Sequence, residues 1–239
     1  MRALFVVAIL SISLPAAAKE IRVFAAVSLT EPLQEIERGY ERAYGVDIVF
    51  HFGASSLLSR QIEQGAPADL FLSADEASVG RLGKLVIRRA SVLSNSLVIV
   101  VPKDNRTITR PVHLLRARRI ALAEPSTVPA GIYARKWLQK IGLWQRIAPN
   151  VIPTDNVRAA LAAVESGNVD GAIVYKTDAR IAKRSRVACE VPRAETPGIS
   201  YPFALLRDAR NGEAATKLLA YLSTKGARDV FAKHGFLIQ

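Results

Sequence analysis

Apolar runs typical of buried strands alternate along this chain of 239 residues with segments typical of amphipathic helices. Strands are predicted at residues 21–27, 46–52, 69–72, 96–101, 120–123, 171–175 and 201–206. The helix after the first strand carries Leu33, Ile36 and Tyr40 on one face. Such alternation predicts an α/β fold with mostly parallel sheets. In sheets of this kind, ligands bind beyond the carboxyl ends of the strands, where helix N-termini converge.

Two serines stand where a predicted strand gives way to a helix, Ser28 and Ser55. A serine hydroxyl can donate a hydrogen bond, and the first N–H groups of the helix point the same way, so the joint attracts an anion without a charged side chain. A single serine there is better explained as a structural cap. Ala130 and Val157, at two later helix starts, and Tyr175, at the end of a strand, occupy the same kind of position. The repetition favours a ligand site.

The first 18 residues predict a secretory signal peptide. Met1-Arg2 supplies a positive start, an apolar stretch runs over 3–14, and an Ala-x-Ala cleavage site precedes Lys19. The stretch is too short for a membrane span, which needs about 20 apolar residues. An uncleaved anchor is the alternative. The residue directly after the cleavage site is Lys19 and not a cysteine, so we expect an exported protein without a lipid anchor.

Charge and motifs argue against several other classes of protein. The net charge is +12, but the basic residues form short clusters without interleaved aromatic residues, which disfavours nucleic-acid binding. His51, His113 and His234 are scattered without the spacing of metal ligands. The sequence contains no nucleophile elbow, P-loop or dinucleotide-binding glycine motif. Cys189 is the single cysteine, and the pattern around it predicts a buried small hydrophobic residue that shares a strand face with Val187.

Seven short motifs together resemble the periplasmic molybdate-binding proteins of ABC importers. They are Val-Phe-Ala-Ala-Val-Ser-Leu-Thr at 23–30, Gly-Ala-Ser-Ser at 53–56, Gly-Ala-Pro-Ala-Asp-Leu-Phe-Leu-Ser-Ala-Asp at 65–75, Asn-Ser-Leu-Val at 95–98, Val-Pro-Ala-Gly-Ile-Tyr-Ala at 128–134, Asp-Asn-Val-Arg at 155–158 and Ile-Val-Tyr at 173–175. The match extends in order over essentially the whole chain after the signal peptide. It implies a type II periplasmic binding fold, in which two α/β lobes joined by crossing strands close on a tetrahedral oxyanion.

The resemblance also implies a division of the chain and a ligand shell. Lobe I would comprise residues 19–98 and 202–239, and lobe II residues 99–201, with the strands at 96–101 and 201–206 as the crossings. The ligand shell implied for molybdate consists of Ser28, Ser55, Ala130, Val157 and Tyr175. Ser56 is the alternative to Ser55 as the second serine. Arg158 is a less favoured candidate, because on a helix it should point away from the N–H groups.

The implied function is capture of molybdate, and of the similar tungstate, in the periplasm for delivery to the membrane permease of an ABC importer. We expect a monomer that is not an enzyme, needs no cofactor, and neither binds nucleic acid nor inserts into the membrane. Molybdate is a dianion with four acceptor oxygens and no proton, so its site should hold donors and no carboxylate. The alternatives are a carrier of another tetrahedral oxyanion such as sulfate, or an exported enzyme on the same fold.

Overall fold

The computed structural model describes residues 19–239, and the predicted signal peptide lies outside the described residues. The strands are β1 Lys19–Ala26, β2 Val46–Gly53, β3 Leu70–Leu72, β4 Val86–Ser94, β5 Leu97–Pro102, β6 Ile120–Ala123, β7 Val151–Thr154, β8 Gly171–Tyr175, β9 Ser185–Glu190, β10 Tyr201–Leu206 and β11 Leu237–Ile238. The α-helices are α1 Thr30–Tyr44, α2 Ser55–Glu63, α3 Glu76–Arg81, α4 Pro129–Lys140, α5 Trp144–Ile147, α6 Val157–Glu165, α7 Lys176–Ala179, α8 Gly212–Leu222 and α9 Lys225–Lys233. Short 3₁₀ helices span Val27–Leu29, Gly83–Leu85, Pro111–Arg116 and Ala148–Asn150.

The strands form two mixed sheets. The six-stranded sheet has the order β11-β4-β10-β3-β1-β2, and the five-stranded sheet has the order β7-β6-β8-β5-β9. The central pairs β1–β2, β1–β3, β6–β7 and β6–β8 are parallel. Within residues 19–239, every antiparallel pair includes β5, β10 or β11. The predicted α/β class is therefore confirmed, but the prediction of mostly parallel sheets is wrong. Strands β5 and β10, which each follow a passage between the sheets, and the last strand β11 run against their neighbours.

The two sheets and the helices packed on them form two lobes. Lobe I is the six-stranded sheet with α1–α3, α8 and α9, and lobe II is the five-stranded sheet with α4–α7. The chain leaves the first sheet after Ser94 and returns between Glu190 and Tyr201. The two expected crossing strands, now β5 and β10, each begin directly after a passage and then pair within a single sheet, which satisfies their backbone groups there. The exact lobe boundaries stay a prediction.

Helix α1 illustrates how the sequence pattern fixes the packing. Leu33, Ile36 and Tyr40 are buried against the first sheet, as their helical spacing predicts. Gly45 ends the helix at a φ of 62°, a left-handed conformation that glycine adopts without strain. The start of α1 follows β1 and the 3₁₀ helix Val27–Leu29 directly, which places it at the carboxyl edge of the first sheet. In the described part of the chain, no helix combines the length and apolar composition of a membrane span.

The prediction for Cys189 is wrong in part. Val187 is 40% exposed and Cys189 is only half-buried. Ile99 pairs with Cys189 while Val100 pairs with Val187, so the strand contains one extra residue, Ala188. Such a bulge breaks the alternation of faces that the prediction assumed. Burial is the main cause that raises the pKa of the Cys189 thiol, which keeps it protonated.

Candidate functional site

A small cavity lies between the lobes, at the carboxyl ends of β1, β2 and β8. Its volume is about 20 Å³, whereas pockets for drug-sized ligands measure about 300–1,000 Å³. It is lined by Ala26, Val27, Ser28, Gly53, Ala54, Ser55, Ala74, Val128, Pro129, Ala130, Asn156, Val157 and Tyr175. The structure thus brings all five predicted site residues to one place. The inner space suits a small inorganic group.

Four helix starts meet at this cavity: the 3₁₀ helix Val27–Leu29, α2, α4 and α6. No side chain caps the first three of them. Helix α4 begins with Pro129, which has no N–H, so Ala130 offers the first donor of that helix. In α6 the Asn156 side chain accepts from the N–H groups of Arg158 and Ala159 and leaves the N–H of Val157 uncapped. Positive helix ends and unused N–H groups therefore face the cavity.

The two predicted serines are buried with their hydroxyl groups already oriented. Ser55 Oγ accepts a hydrogen bond of 2.9 Å from the N–H of Ala74, which leaves the hydroxyl proton of Ser55 to donate elsewhere. Ser56 does not line the cavity but a wider cleft outside it. Of the two candidate serines, only Ser55 therefore faces the inner space.

Tyr175 places an unused hydroxyl group at the cavity. Its side chain is 1% exposed, and its Oη atom has no hydrogen-bond partner among the described residues. Burial is the main cause that raises the pKa of Tyr175 well above its ordinary value, so the group is a protonated donor at neutral pH. An unpaired buried hydroxyl costs about 1–3 kcal/mol. A guest that offers an acceptor oxygen here would relieve that cost.

Charged side chains are kept away from the inner space. Among the described residues that line the cavity, none is Asp, Glu, Lys, Arg or His. Arg158, the nearest candidate in sequence, turns its guanidinium group to Glu31 and Asp178 instead. The lobes also touch beside the cavity, where the Tyr133 hydroxyl donates to the carbonyl of Ala74 at 3.4 Å. The site is a neutral set of donors supplied by both lobes.

Sequence reasoning missed two buried residues behind this site, Asn95 and Tyr201. Tyr201 Oη lies 3.1 Å from Ser28 Oγ. Asn95 Nδ2 donates to Tyr201 Oη at 3.2 Å and to Thr177 Oγ1 at 2.9 Å. Asn95 lies between β4 and β5, where the chain passes from lobe I to lobe II. Tyr201 is the first residue of β10, where the chain has returned to lobe I. The Asn-Ser-Leu-Val motif that begins at Asn95 is a signal in the sequence, but it does not indicate that Asn95 contacts Tyr201.

Two α/β lobes with an uncharged, donor-lined cavity between them define a two-lobed binding protein for a small ligand. The chain belongs to the bacterial extracellular solute-binding proteins, because the model of that family matches residues 21–237. It is 39% identical to the molybdate-binding protein ModA of Escherichia coli (strain K12), over 92% of this chain and 90% of that protein.

Two solved structures share the fold at lower identity. The periplasmic molybdate-binding protein of Azotobacter vinelandii superposes with a TM-score of 0.81 at 19% identity, covering 92% of this chain and 99% of that one. The sulfate-binding protein SubI of Mycobacterium tuberculosis H37Rv gives a TM-score of 0.80 at 21% identity, covering 91% and 86%. At these identities the likeness concerns the fold alone, so the choice of anion has to be argued from the site.

Proposed function

We propose that this protein captures molybdate, with tungstate as a close analogue, in the periplasm and delivers it to the permease of an ABC importer. One observation carries the proposal: three hydroxyl groups and four helix starts from both lobes meet at a small cavity that has no charged lining residue. The 39% identity to a protein named for molybdate binding supports the choice of ligand.

The chemistry of the donor set fits a fully deprotonated anion. Molybdate at neutral pH offers four acceptor oxygens and carries no proton. The hydroxyl groups of Ser28, Ser55 and Tyr175 and the N–H groups of Ala130 and Val157 are all able to donate. A guest that carried a proton, such as hydrogen phosphate, would need an acceptor, and no carboxylate lines the described cavity. Hydrogen bonds to a charged guest are worth about 1.5–3 kcal/mol each, so five of them hold it without a salt bridge.

The same site argues for binding without catalysis. A serine nucleophile needs a base within hydrogen-bond reach. Ser55 instead accepts from a backbone N–H, and Ser28 lies against the hydroxyl of Tyr201. Burial raises the pKa of Tyr201, which removes it as a base at neutral pH. We infer that the protein is a carrier and not an enzyme.

Sulfate is the second candidate ligand, because it is also a tetrahedral dianion and the cavity offers donors and no charged side chain. It has the charge and shape of molybdate but is smaller. In a closed site built for the larger anion it would leave donors unpaired, at a cost of about 1–3 kcal/mol for each one. We therefore place molybdate first.

The proposed function also requires export of the protein and contact with the permease. The predicted signal peptide would direct the chain to the periplasm, where a monomer meets the membrane permease. Ligand release at the permease suits a neutral site, because hydrogen bonds from hydroxyl and N–H groups break more readily than a buried ion pair.

Isothermal titration of residues 19–239 with molybdate tests the function. The wild type should bind one anion per chain. Ser55→Ala should weaken binding about 10- to 150-fold, the equivalent of about 1.5–3 kcal/mol. Ser56→Ala is the matched control: it removes the neighbouring hydroxyl, which is buried without a partner but belongs to a residue that does not line the cavity, and should leave the affinity unchanged. Equal losses in the two variants, or no binding by the wild type, would contradict the proposal.

A further inference from the structure

Arg158 joins the two lobes outside the cavity. It lies in the first turn of α6 in lobe II, and Glu31 lies in the first turn of α1 in lobe I. Arg158 Nη1 and Nη2 donate to the two carboxylate oxygens of Glu31 at 2.8 and 2.5 Å. Arg158 Nε donates to Asp178 of α7. The contact between the lobes is therefore a bidentate ion pair, the geometry in which arginine–carboxylate pairs are strongest.

The two acidic partners of Arg158 differ in a way that suits a reversible contact. Asp178 belongs to the same lobe as Arg158, and its side chain is fully buried. Because this contact lies within one lobe, opening of the lobes does not require it to break. The side chain of Glu31 is 33% exposed, so water can solvate its carboxylate once the lobes part. Lobe II thus carries the guanidinium group on a buried carboxylate, and lobe I carries a carboxylate that can separate from it.

We propose that Glu31 and Arg158 form a latch that stabilises the closed arrangement of the lobes around the bound anion. The proposal rests on the proposed function, in which an anion joins donors from both lobes. Glu31 lies three residues after Ser28, and Arg158 directly follows Val157, yet neither side chain lines the cavity. The latch therefore acts on affinity through closure and without touching the ligand. Since the anion leaves when the lobes open, the latch mainly slows dissociation.

Glu35 provides a matched control on the same helix. It lies one turn after Glu31 and has a side chain that is 28% exposed. It pairs with Lys233 at 2.7 Å and with His234 at 2.8 Å. Lys233 is the last residue of α9 and His234 follows it directly, so the whole cluster belongs to lobe I. Glu35→Gln removes the same charge from the same helix as Glu31→Gln, but breaks contacts within one lobe only.

The experiment compares Glu31→Gln, Glu35→Gln and the wild type, using molybdate as the probe. Glu31→Gln should raise the Kd about 5- to 30-fold, less than a fully buried charged hydrogen bond because the pair is partly exposed. Stopped-flow measurements should assign most of this change to faster dissociation. Glu35→Gln should bind like the wild type. An unchanged Kd for Glu31→Gln, or an equal loss in both variants, would overturn the latch.

Small-angle scattering of the ligand-free proteins separates failure of the latch from failure of the proposed function. If the wild type binds no molybdate, the proposed function is wrong. The radius of gyration then tests on its own whether the Glu31–Arg158 pair stabilises the closed lobes. The latch then requires a larger radius for Glu31→Gln than for both the wild type and Glu35→Gln. Equal radii in all three proteins would overturn it.

Discussion

The hydroxyl oxygen of Ser28 lies 3.1 Å from that of Tyr201, although 173 residues separate the two along the chain. Tyr201 Oη accepts a hydrogen bond from Asn95, so its single proton is available to Ser28 Oγ. The proton of Ser28 is then left for the cavity. A site donor is in this way oriented by the two segments that connect the lobes.

Tyr201→Phe should therefore weaken anion binding without removing any ligand contact. The substitution leaves Ser28 Oγ and Asn95 Nδ2 each short of one partner in a buried place. We expect about a 3- to 30-fold rise in the Kd for molybdate and a loss of about 1–3 kcal/mol in the free energy of unfolding. Titration calorimetry and urea unfolding measure the two effects. Tyr221→Phe is the control, since the Tyr221 ring packs against Tyr40 and does not line the cavity.

Tyr175→Phe should separate binding from stability. Tyr175 Oη has no partner in the described structure, so its removal costs the ligand-free protein no hydrogen bond. The free energy of unfolding should stay equal or rise. The affinity for molybdate should fall by about 1.5–3 kcal/mol, because a donor to a charged guest is lost. Urea unfolding with and without molybdate gives both quantities. A variant that is less stable and binds as before would show that this hydroxyl does not serve the anion.

Gly131→Ala should displace a backbone donor. A Cβ at Gly131 would lie 1.9 Å from the carbonyl oxygen of Ala123, so α4 must move away from the end of β6 and carry the N–H of Ala130 with it. Overpacking of this kind costs about 1–3 kcal/mol of stability, and we expect weaker molybdate binding as well. Gly39→Ala, in the open middle of α1, should instead stabilise the protein by about 0.5–1 kcal/mol. Thermal unfolding of both variants tests the contrast.

Glu165 should make stability depend on pH in the acid range. Burial opposes ionisation of its carboxyl group, but hydrogen bonds from the segment 183–185 outweigh burial and lower its pKa to about 2. A pKa below that of the unfolded chain, about 4.3, gives stability that is present above pH 4.3 and is lost as the pH falls toward 2.

The difference in unfolding temperature between the wild type and Glu165→Gln should thus be largest near neutral pH and shrink in acid. Burial raises the pKa of Glu37, so Glu37→Gln should be no less stable than the wild type at pH 7. A stability difference for Glu165→Gln that does not change with pH would contradict the assignment.

Much of the architecture follows from local patterns in the sequence. The strand–helix joints after β1 and β2 combine an apolar run, a serine and helical spacing, and the structure has strands and helices there as predicted. Helix α6 begins at Val157, the helix start that the sequence predicts, with Asn156 directly before it as the N-cap. These features are readable because each depends on residues only a few positions apart.

Other elements carry no such local signal. Strand β4 was not predicted, because most of its side chains are exposed and it includes Arg88 and Arg89 in place of an apolar run. Strand β7 has four residues at the edge of its sheet, and one of them is Pro153. The hydrogen bond between Asn95 and Tyr201 spans 106 positions. Which polar residues meet behind the site is decided by the packing of two sheets, which local patterns do not encode.

Competition binding at neutral pH tests the central claim most directly, because a fixed set of neutral donors reads the size and protonation of its guest. The labelled ligand is molybdate, and the competitors are tungstate, sulfate and phosphate. Tungstate should compete about as well as molybdate itself. Sulfate should be weaker by about 2–6 kcal/mol if it misses two donors, and phosphate should be no better than sulfate. Sulfate binding as tight as molybdate binding would contradict the account.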